Sequence, residues 1–237
     1  MTSKSNKATT KPAPIASLQD QIIKCCLCPR LVAWREQVAR EKVRRFADQQ
    51  YWGRPVPSFG DPRARVLVVG LAPAAQGGNR TGRIFTGDRS GEWLFRALHK
   101  AGFANQALSV SRDDGLRLKD CYVTAAVRCA PPANKPLPAE IANCRPYLIR
   151  ELELLKRVLV IVALGRLAFD AAINSVGLDE GVKVRPKFGH GVETRLKNGI
   201  TLVASFHPSQ QNTFTGRLTE PMFDRIFNAA QRIISGR

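Results

Sequence analysis

At 237 residues the chain has room for one substantial core, or at most two small ones, and its 44% hydrophobic content is ordinary for a globular protein. Its charge is not ordinary: 37 Lys and Arg against 19 Asp and Glu leave +18 at pH 7, a field that attracts polyanions, so nucleic acid is the expected partner. A membrane is not expected, because no apolar stretch reaches the ~18 residues that a spanning helix needs and no basic amphipathic helix dominates.

Residues 1–16 are expected to form a disordered basic tail, Lys-, Thr- and Pro-rich without the apolar centre of a secretory signal. Residues 17–237 then make one α/β domain. Six cysteines without such a signal point to the reducing cytoplasm, and to metal or catalysis over disulfides. Residues 17–37 read as helical, interrupted by Cys25-Cys-Leu-Cys-Pro29, and 34–50 continue as a charged helix. Gly53, Pro55, Pro57, Gly60 and Pro62 make 51–62 a loop. The first strand is 66–69 (Val-Leu-Val-Val), followed by a helix over 90–101 with Trp93, Leu94, Ala97 and Leu98 at helical spacing and Gly102 closing it. The second strand is 121–127. After a Pro-rich loop over 130–138, Pro138-Ala-Glu140 opens a helix that runs through Leu155. The third strand is 158–164, with Gly165 turning into a helix over 166–173. Residues 182–198 are irregular and basic around Phe188-Gly-His-Gly191, 201–205 form the fourth strand, and 219–234 form a closing helix. Strands alternating with helices predict a three-layer α/β/α sandwich around a central, mostly parallel four-stranded sheet.

Cys25 and Cys28 form a C-x2-C pair, and Cys129 and Cys144 a C-x14-C pair. Thiolates spaced this way suit zinc or an iron–sulfur cluster, and spacing alone does not choose between them. Cys26 competes with Cys25 as a ligand, but its Cys-x-Cys bite on Cys28 is tighter, which favours Cys25. Cys121 opens a strand and reads as a buried thiol.

Two polar segments follow directly on strands: Gly70-Leu-Ala-Pro-Ala-Ala-Gln-Gly-Gly-Asn-Arg-Thr-Gly-Arg-Ile-Phe-Thr-Gly-Asp88 and His207-Pro-Ser-Gln-Gln-Asn-Thr-Phe-Thr-Gly-Arg-Leu-Thr219. Loops leaving the carboxyl ends of parallel strands form the ligand crevice of an open α/β sheet, so both can meet at one site. The first contains no G-x-x-x-x-G-K-[ST] and no G-x-G-x-x-G, which argues against a nucleoside triphosphate.

Gly-Leu-Ala-Pro-Ala-Ala with Asn-Arg-Thr-Gly-Arg-x-Phe-Thr-Gly-Asp resembles the first motif of the uracil-DNA glycosylase superfamily, and is most similar to its iron–sulfur branch, family 5 or type B. His-Pro-Ser-x-x-Asn-Thr-x-Thr-Gly-Arg-Leu-Thr resembles that branch's second motif. The four cysteines, with Val127-Arg-Cys-Ala-Pro-Pro-Ala-Asn-Lys135, resemble its cluster ligands. The likeness runs from about Cys25 to the end of the chain. It implies a [4Fe–4S] cluster on Cys25, Cys28, Cys129 and Cys144. The apolar Leu71 and Ala72, where other families carry a polar water-holding side chain, are also similar to family 5. Gln76 departs from the pattern, since a His is expected there.

The reaction so implied is removal of uracil from DNA, leaving an abasic site; a site without a polar water-holder, in a loop built of small residues, is expected to be roomy and to take hypoxanthine, xanthine or modified cytosine as well. The reaction requires the base to leave the stack, charge on the departing base to be stabilised, and negative charge near a cationic sugar. Asp88 is assigned to the sugar or the attacking water, with a helix N-cap as its alternative role. His207, held extended by Pro208, is assigned to the base oxygen. Phe85 is the stacking platform and Asn134 the reader of the base edge, with Gly70, Ala72 and Ala74 lining the pocket. Asn79, Arg80, Gln210, Asn212, Phe214 and Arg217 are expected to contact DNA, with Phe214 entering the duplex and Arg217 meeting phosphate. His190, between two glycines, reads as a DNA-contacting or structural residue. A cytoplasmic monomer that joins the nucleoid when acting on DNA is expected. The alternative is a non-catalytic iron–sulfur protein that binds nucleic acid or senses redox state; a zinc-dependent nucleotide hydrolase would need ligands that the sparse His and Asp near the loops do not supply.

Overall fold

The computed structural model describes residues 14–177 and 186–236. Residues 1–13 of the expected tail, residues 182–185 of the irregular segment and Arg237 lie outside them. Four apolar, largely β-branched runs form the centre of the sheet: β2 (Val66–Gly70), β3 (Cys121–Ala125), β4 (Val160–Leu164) and β6 (Thr201–Ser205). Every residue in them is buried, as strands covered on both faces require. They pair in parallel, with Val66 opposite both Cys121 and Val160, and Val160 opposite Thr201.

The sheet has six strands, not four, in the order β1 (Phe59–Gly60), β3, β2, β4, β6, β5 (Glu193–Arg195). Its edges are β1 and β5, both antiparallel to their neighbours, so the sheet is mixed. The expected parallel centre is present, and the edges are the correction. They are two and three residues long and only partly buried, so they carry no apolar alternation. Their pairing rests on backbone hydrogen bonds.

Alternation along the central strands divides the core. Val66, Val68, Val160, Val162 and Val203 face α4 (Arg89–Lys100) and α8 (Glu220–Ser235). Leu67, Val69, Ile161, Ala163 and Leu202 face α5 (Pro138–Leu154) and α6 (Arg166–Ser175). The N-terminal α1 (Pro14–Ile23) packs on α5 and begins inside the expected tail, while α2 (Pro29–Glu41) follows the first cysteines. The charged helix expected to reach residue 50 stops at Glu41, where Lys42 takes φ +50, and a 3-10 turn at Arg44–Phe46 follows. Two short helices, α3 (Gly78–Thr81) and α7 (Gln210–Phe214), lie within the two polar segments. No helix among the described residues is long and apolar enough to cross a membrane.

The order in which strands are added reverses at β2: β3 lies on one side of it and β4 on the other. Such a switch point opens a crevice at the carboxyl ends of the strands. The segments leaving β2 and β6 emerge there with only β4 between them.

One polar network lies inside this frame. Arg128, just after β3, donates to Glu151 of α5 at 2.6 Å and to Ser58 Oγ. Glu151 also accepts from Thr124 and Gln19. Both charged side chains are almost completely buried, at 2% and 0% exposure, so each is tolerated only because the other is present. Glu151→Ala is expected to cost about 3–5 kcal/mol by leaving Arg128 buried and unpaired, read from urea unfolding. A variant as stable as the parent would show the pair to be dispensable.

Candidate active site

After Gly70 the backbone leaves the sheet with several donors unused. Among the described residues the N–H groups of Ala72, Ala74 and Ala75 donate to no protein acceptor, and Pro73 has none to offer. The chain then turns through α3. A Cβ at Gly77 would lie 1.9 Å from Asp88 Oδ2, so only glycine lets the returning carboxylate sit there. Gly70 serves in the same way: a Cβ would stand 2.7 Å from the Phe85 ring.

Asn79 and Arg80, expected to meet DNA, are buried instead. Asn79 donates its amide to the Arg35 carbonyl at 3.1 Å. Arg80 donates to the carbonyls of Gln76 and Gly87 and stacks on Phe46. Asn79 thus ties the loop to α2, and Arg80 bridges two carbonyls of the loop itself. Gln76, the departure from the family pattern, accepts from the Tyr51 hydroxyl at 2.5 Å.

Phe85 is buried with φ +52, a left-handed conformation costly for an aromatic residue. Its neighbour holds it there: the Arg83 guanidinium donates to both Asp114 oxygens at 2.9 and 2.7 Å, and to Ser109 and Thr86. Burial alone would raise the Asp114 carboxyl, but Arg83 and the N–H groups of Leu116, Val110 and Ser111 carry it down to about 2. Asp88 caps α4, its Oδ1 accepting from Gly91 N–H at 2.9 Å. Burial nevertheless raises its pKa above the ordinary carboxylate value, against the pull of that cap.

In the second segment, the His207 carbonyl accepts from Ser209 N–H and from the Asn212 side chain, each at 2.8 Å. Asn212 therefore positions the His207 backbone. Nothing among the described residues hydrogen-bonds to the His207 ring nitrogens. Burial lowers its pKa to about 4, so the ring is neutral at physiological pH, with one N–H to donate. Its ring lies 6.1 Å from Phe85, inclined by 30°.

Asp88, His207, Phe85 and Asn134 line one cavity of about 470 Å³, together with Ala72 and Ala74. Asn134, at φ +56, presents a side-chain amide with no partner among the described residues. Gly70 lies beneath Phe85 and does not line the wall. Gln210 is at the rim, and Phe214 is 68% exposed beyond it, with the Arg89 guanidinium 4.7 Å over its ring. Arg217 is exposed and covers Phe206 at 4.7 Å. Arg89, Ser90, Ser209 and Gln211 also line the cavity but were not expected to. Their signal was positional: Arg89 and Ser90 follow the Asp88 cap, and Ser209 caps α7.

Cys25, Cys28, Cys129 and Cys144 line a second, small cavity with Arg35 and Arg128. Arg35 donates to Cys129 Sγ at 3.0 Å and Asn143 to Cys28 Sγ at 3.4 Å. Cys26 is exposed and outside this cavity, and Cys121 is buried within the sheet. Burial pushes the Cys129 thiol up to about 12 and also raises Cys144, so both stay protonated unless a cation joins them. As the side chains stand, no group of three or more His, Cys, Asp or Glu among the described residues is arranged around a single metal ion.

Residues 57–231 match the profile of the Uracil DNA glycosylase superfamily. The chain is 53% identical over 220 residues to a type-5 uracil-DNA glycosylase of Mycobacterium tuberculosis (strain CDC 1551 / Oshkosh), covering 92% of this chain and 81% of that relative. It is 52% identical over 209 residues to a type-5 uracil-DNA glycosylase of Thermus thermophilus, covering 88% and 93%. A type-4 uracil-DNA glycosylase of Pyrobaculum aerophilum is 33% identical over 162 residues, covering 68% and 74%.

The Arg83–Asp114 pair sets a pH-dependent test. Its folded pKa lies below the unfolded value of 3.8, so its contribution is complete above that value and disappears as pH falls through about 2. Asp114→Ala is expected to cost about 3–5 kcal/mol at neutral pH and progressively less at acid pH. Denaturant melts of both proteins at each pH check this; a pH-independent deficit would contradict it.

Proposed function

The chain belongs to the uracil-DNA glycosylase superfamily, and from that membership we propose how its two loops excise uracil from DNA. The base leaves the helix and enters the cavity against Phe85. The bond between C1′ and the base nitrogen breaks, with the electron pair leaving on the base. The neutral His207 N–H donates to the base oxygen on which that charge collects. Asp88 faces the sugar, where a carboxylate stabilises the cationic C1′ and orients water toward it. The water oxygen bonds to C1′, and its proton passes to the departing base by way of solvent. Asn134 reads the base edge, and the free N–H groups of Ala72, Ala74 and Ala75 are available to a base carbonyl. Outside the cavity, Phe214 fills the space left in the duplex, while Arg89 and Arg217 meet phosphate.

The observation that carries this reading is a capped carboxylate and an unpartnered neutral imidazole in one cavity. The same cavity supports a wider range of bases. Leu71 and Ala72 bring no polar side chain to it, and the segment after β2 lines it with Ala72, Pro73 and Ala74, so hypoxanthine, xanthine and modified cytosine join uracil as substrates. The excess positive charge keeps copies apart, so the protein acts as a monomer.

The four cysteines are the ligands of a [4Fe–4S] cluster. An all-thiol set suits it, Arg35 and Asn143 already donate to two of the sulfurs, and the iron supplies the cations that let buried thiols ionise. Its role is structural: it ties the start of α2 to the 129–144 segment that carries Asn134. Equal iron and acid-labile sulfide in the purified protein, both lost together with stability in Cys129→Ser, is the expected result. A colourless, stable and active Cys129→Ser variant would remove the cluster from the fold.

For the reaction, His207→Ala and Asp88→Asn are each expected to slow single-turnover uracil release about 10²–10³-fold while duplex affinity persists. Asn also caps helices, so Asp88→Asn isolates the chemistry from the cap. Wild-type excision by either variant would take that residue out of the mechanism. The rate should show no break at histidine's ordinary value near 6.5. It should fall on the acid side, as Asp88 protonates above the usual carboxylate range and His207 at about 4.

A further inference from the structure

His207 makes no side-chain bond to the described protein, so its orientation depends on its backbone. Its carbonyl is held by Ser209 and Asn212. The turn after β4 lies against it, since a Cβ at Gly165 would stand 3.2 Å from His207 Cβ. Its amino-terminal side is the remaining question.

Along β6, alternate N–H groups point toward β5. Ala204 N–H donates to the Val192 carbonyl at 2.9 Å, and Gly191 N–H donates back to Ala204 at 2.8 Å. The next N–H on that side belongs to Phe206, beyond the last paired residue, Ser205. It donates to an imidazole: Phe206 N–H meets His190 Nδ1 at 3.2 Å. The two rings stack, 5.1 Å apart and inclined by 28°. The Met222 carbonyl at the start of α8 lies at the same imidazole and favours its charged form. Burial and the nearby Arg225 favour the neutral form, which is the one that can accept at Nδ1.

We propose that His190 is a positioning residue: its Nδ1 adds one side-chain rung to the backbone ladder of β6, fixing Phe206 and thereby the His207 that follows. His190 does not touch the base; it determines where His207 stands. A shift of about 1 Å at a reacting group can cost 10²-fold in rate, and Pro208, lacking an N–H, cannot replace the lost bond from the other side. The inference rests on the reading of His207 as the donor to the base.

The test uses His190→Phe, which keeps a stacking ring but cannot accept, and His190→Asn, whose Oδ1 can occupy the Nδ1 position. Single-turnover uracil release, duplex affinity and hydrogen exchange at the Phe206 amide are measured in each, with His207→Ala alongside. His190→Phe is expected to release uracil about tenfold more slowly, the worth of one hydrogen bond, at unchanged affinity and with faster Phe206 exchange. His190→Asn is expected to restore both rate and protection. Wild-type rate in His190→Phe, or equal slowing in the two variants, overturns the proposal. Undiminished excision by His207→Ala overturns it along with the reading of His207, and the exchange data would then still report whether His190 holds Phe206.

Discussion

Parallel pairing is the constraint from which the site follows. Parallel strands cannot be joined by tight turns, so each connection must cross back over a face of the sheet, and all carboxyl ends emerge along one edge. With β2 and β6 separated only by β4, segments more than a hundred residues apart in sequence meet over the same crevice. No direct sequence neighbourhood is needed to bring Asp88 to His207. The buried Arg128–Glu151 network stabilises the frame from below, linking the end of β3 to α5, and so the cysteine cavity to the sheet.

The first loop holds its shape through charge and strain. Phe85 keeps a left-handed backbone beside Arg83, whose guanidinium is fixed by five hydrogen bonds. Asp88 fits because position 77 has no side chain. Arg80, buried under the same loop, ties its two ends by bonding the carbonyls of Gln76 and Gly87. These are preorganising features: the folded chain has met the conformational cost before a base arrives.

Local chemistry and periodicity were legible in the sequence; partnership was not. Apolar runs mark the four central strands because burial on both faces leaves few polar positions in them, among them Thr124, Thr201 and Ser205. The edge strands leave no such mark, since Phe59–Gly60 and Glu193–Arg195 pair through the backbone alone. The same limit explains the site. Asp88, His207, Phe85 and Asn134 carry functional groups whose type and position after a strand or in a loop suggest their use, and they line one cavity. Asn79 and Arg80 look like DNA contacts by side-chain type, but their bonding partners are carbonyls that only the folded loop brings near. Gly-His-Gly at 189–191 is conspicuous in sequence, yet nothing in it names the Phe206 amide as the partner of its ring.

Burial in the cavity shifts Asp88 and His207 toward neutrality from opposite directions, raising Asp88 and lowering His207. For His207 this is an advantage. A charged imidazolium sharing a cavity with Asp88 would be drawn to the carboxylate and each would screen the other; a neutral ring keeps its donor for the base and leaves the carboxylate's charge for the sugar. For Asp88 desolvation opposes function, because the sugar cation requires the ionised form. The amino terminus of α4 answers it: the Gly91 N–H and the positive end of the helix favour the carboxylate that burial disfavours. The helix cap and the catalytic group are therefore one arrangement, since the bond that starts α4 also opposes the burial that raises this carboxyl's pKa beside the cavity.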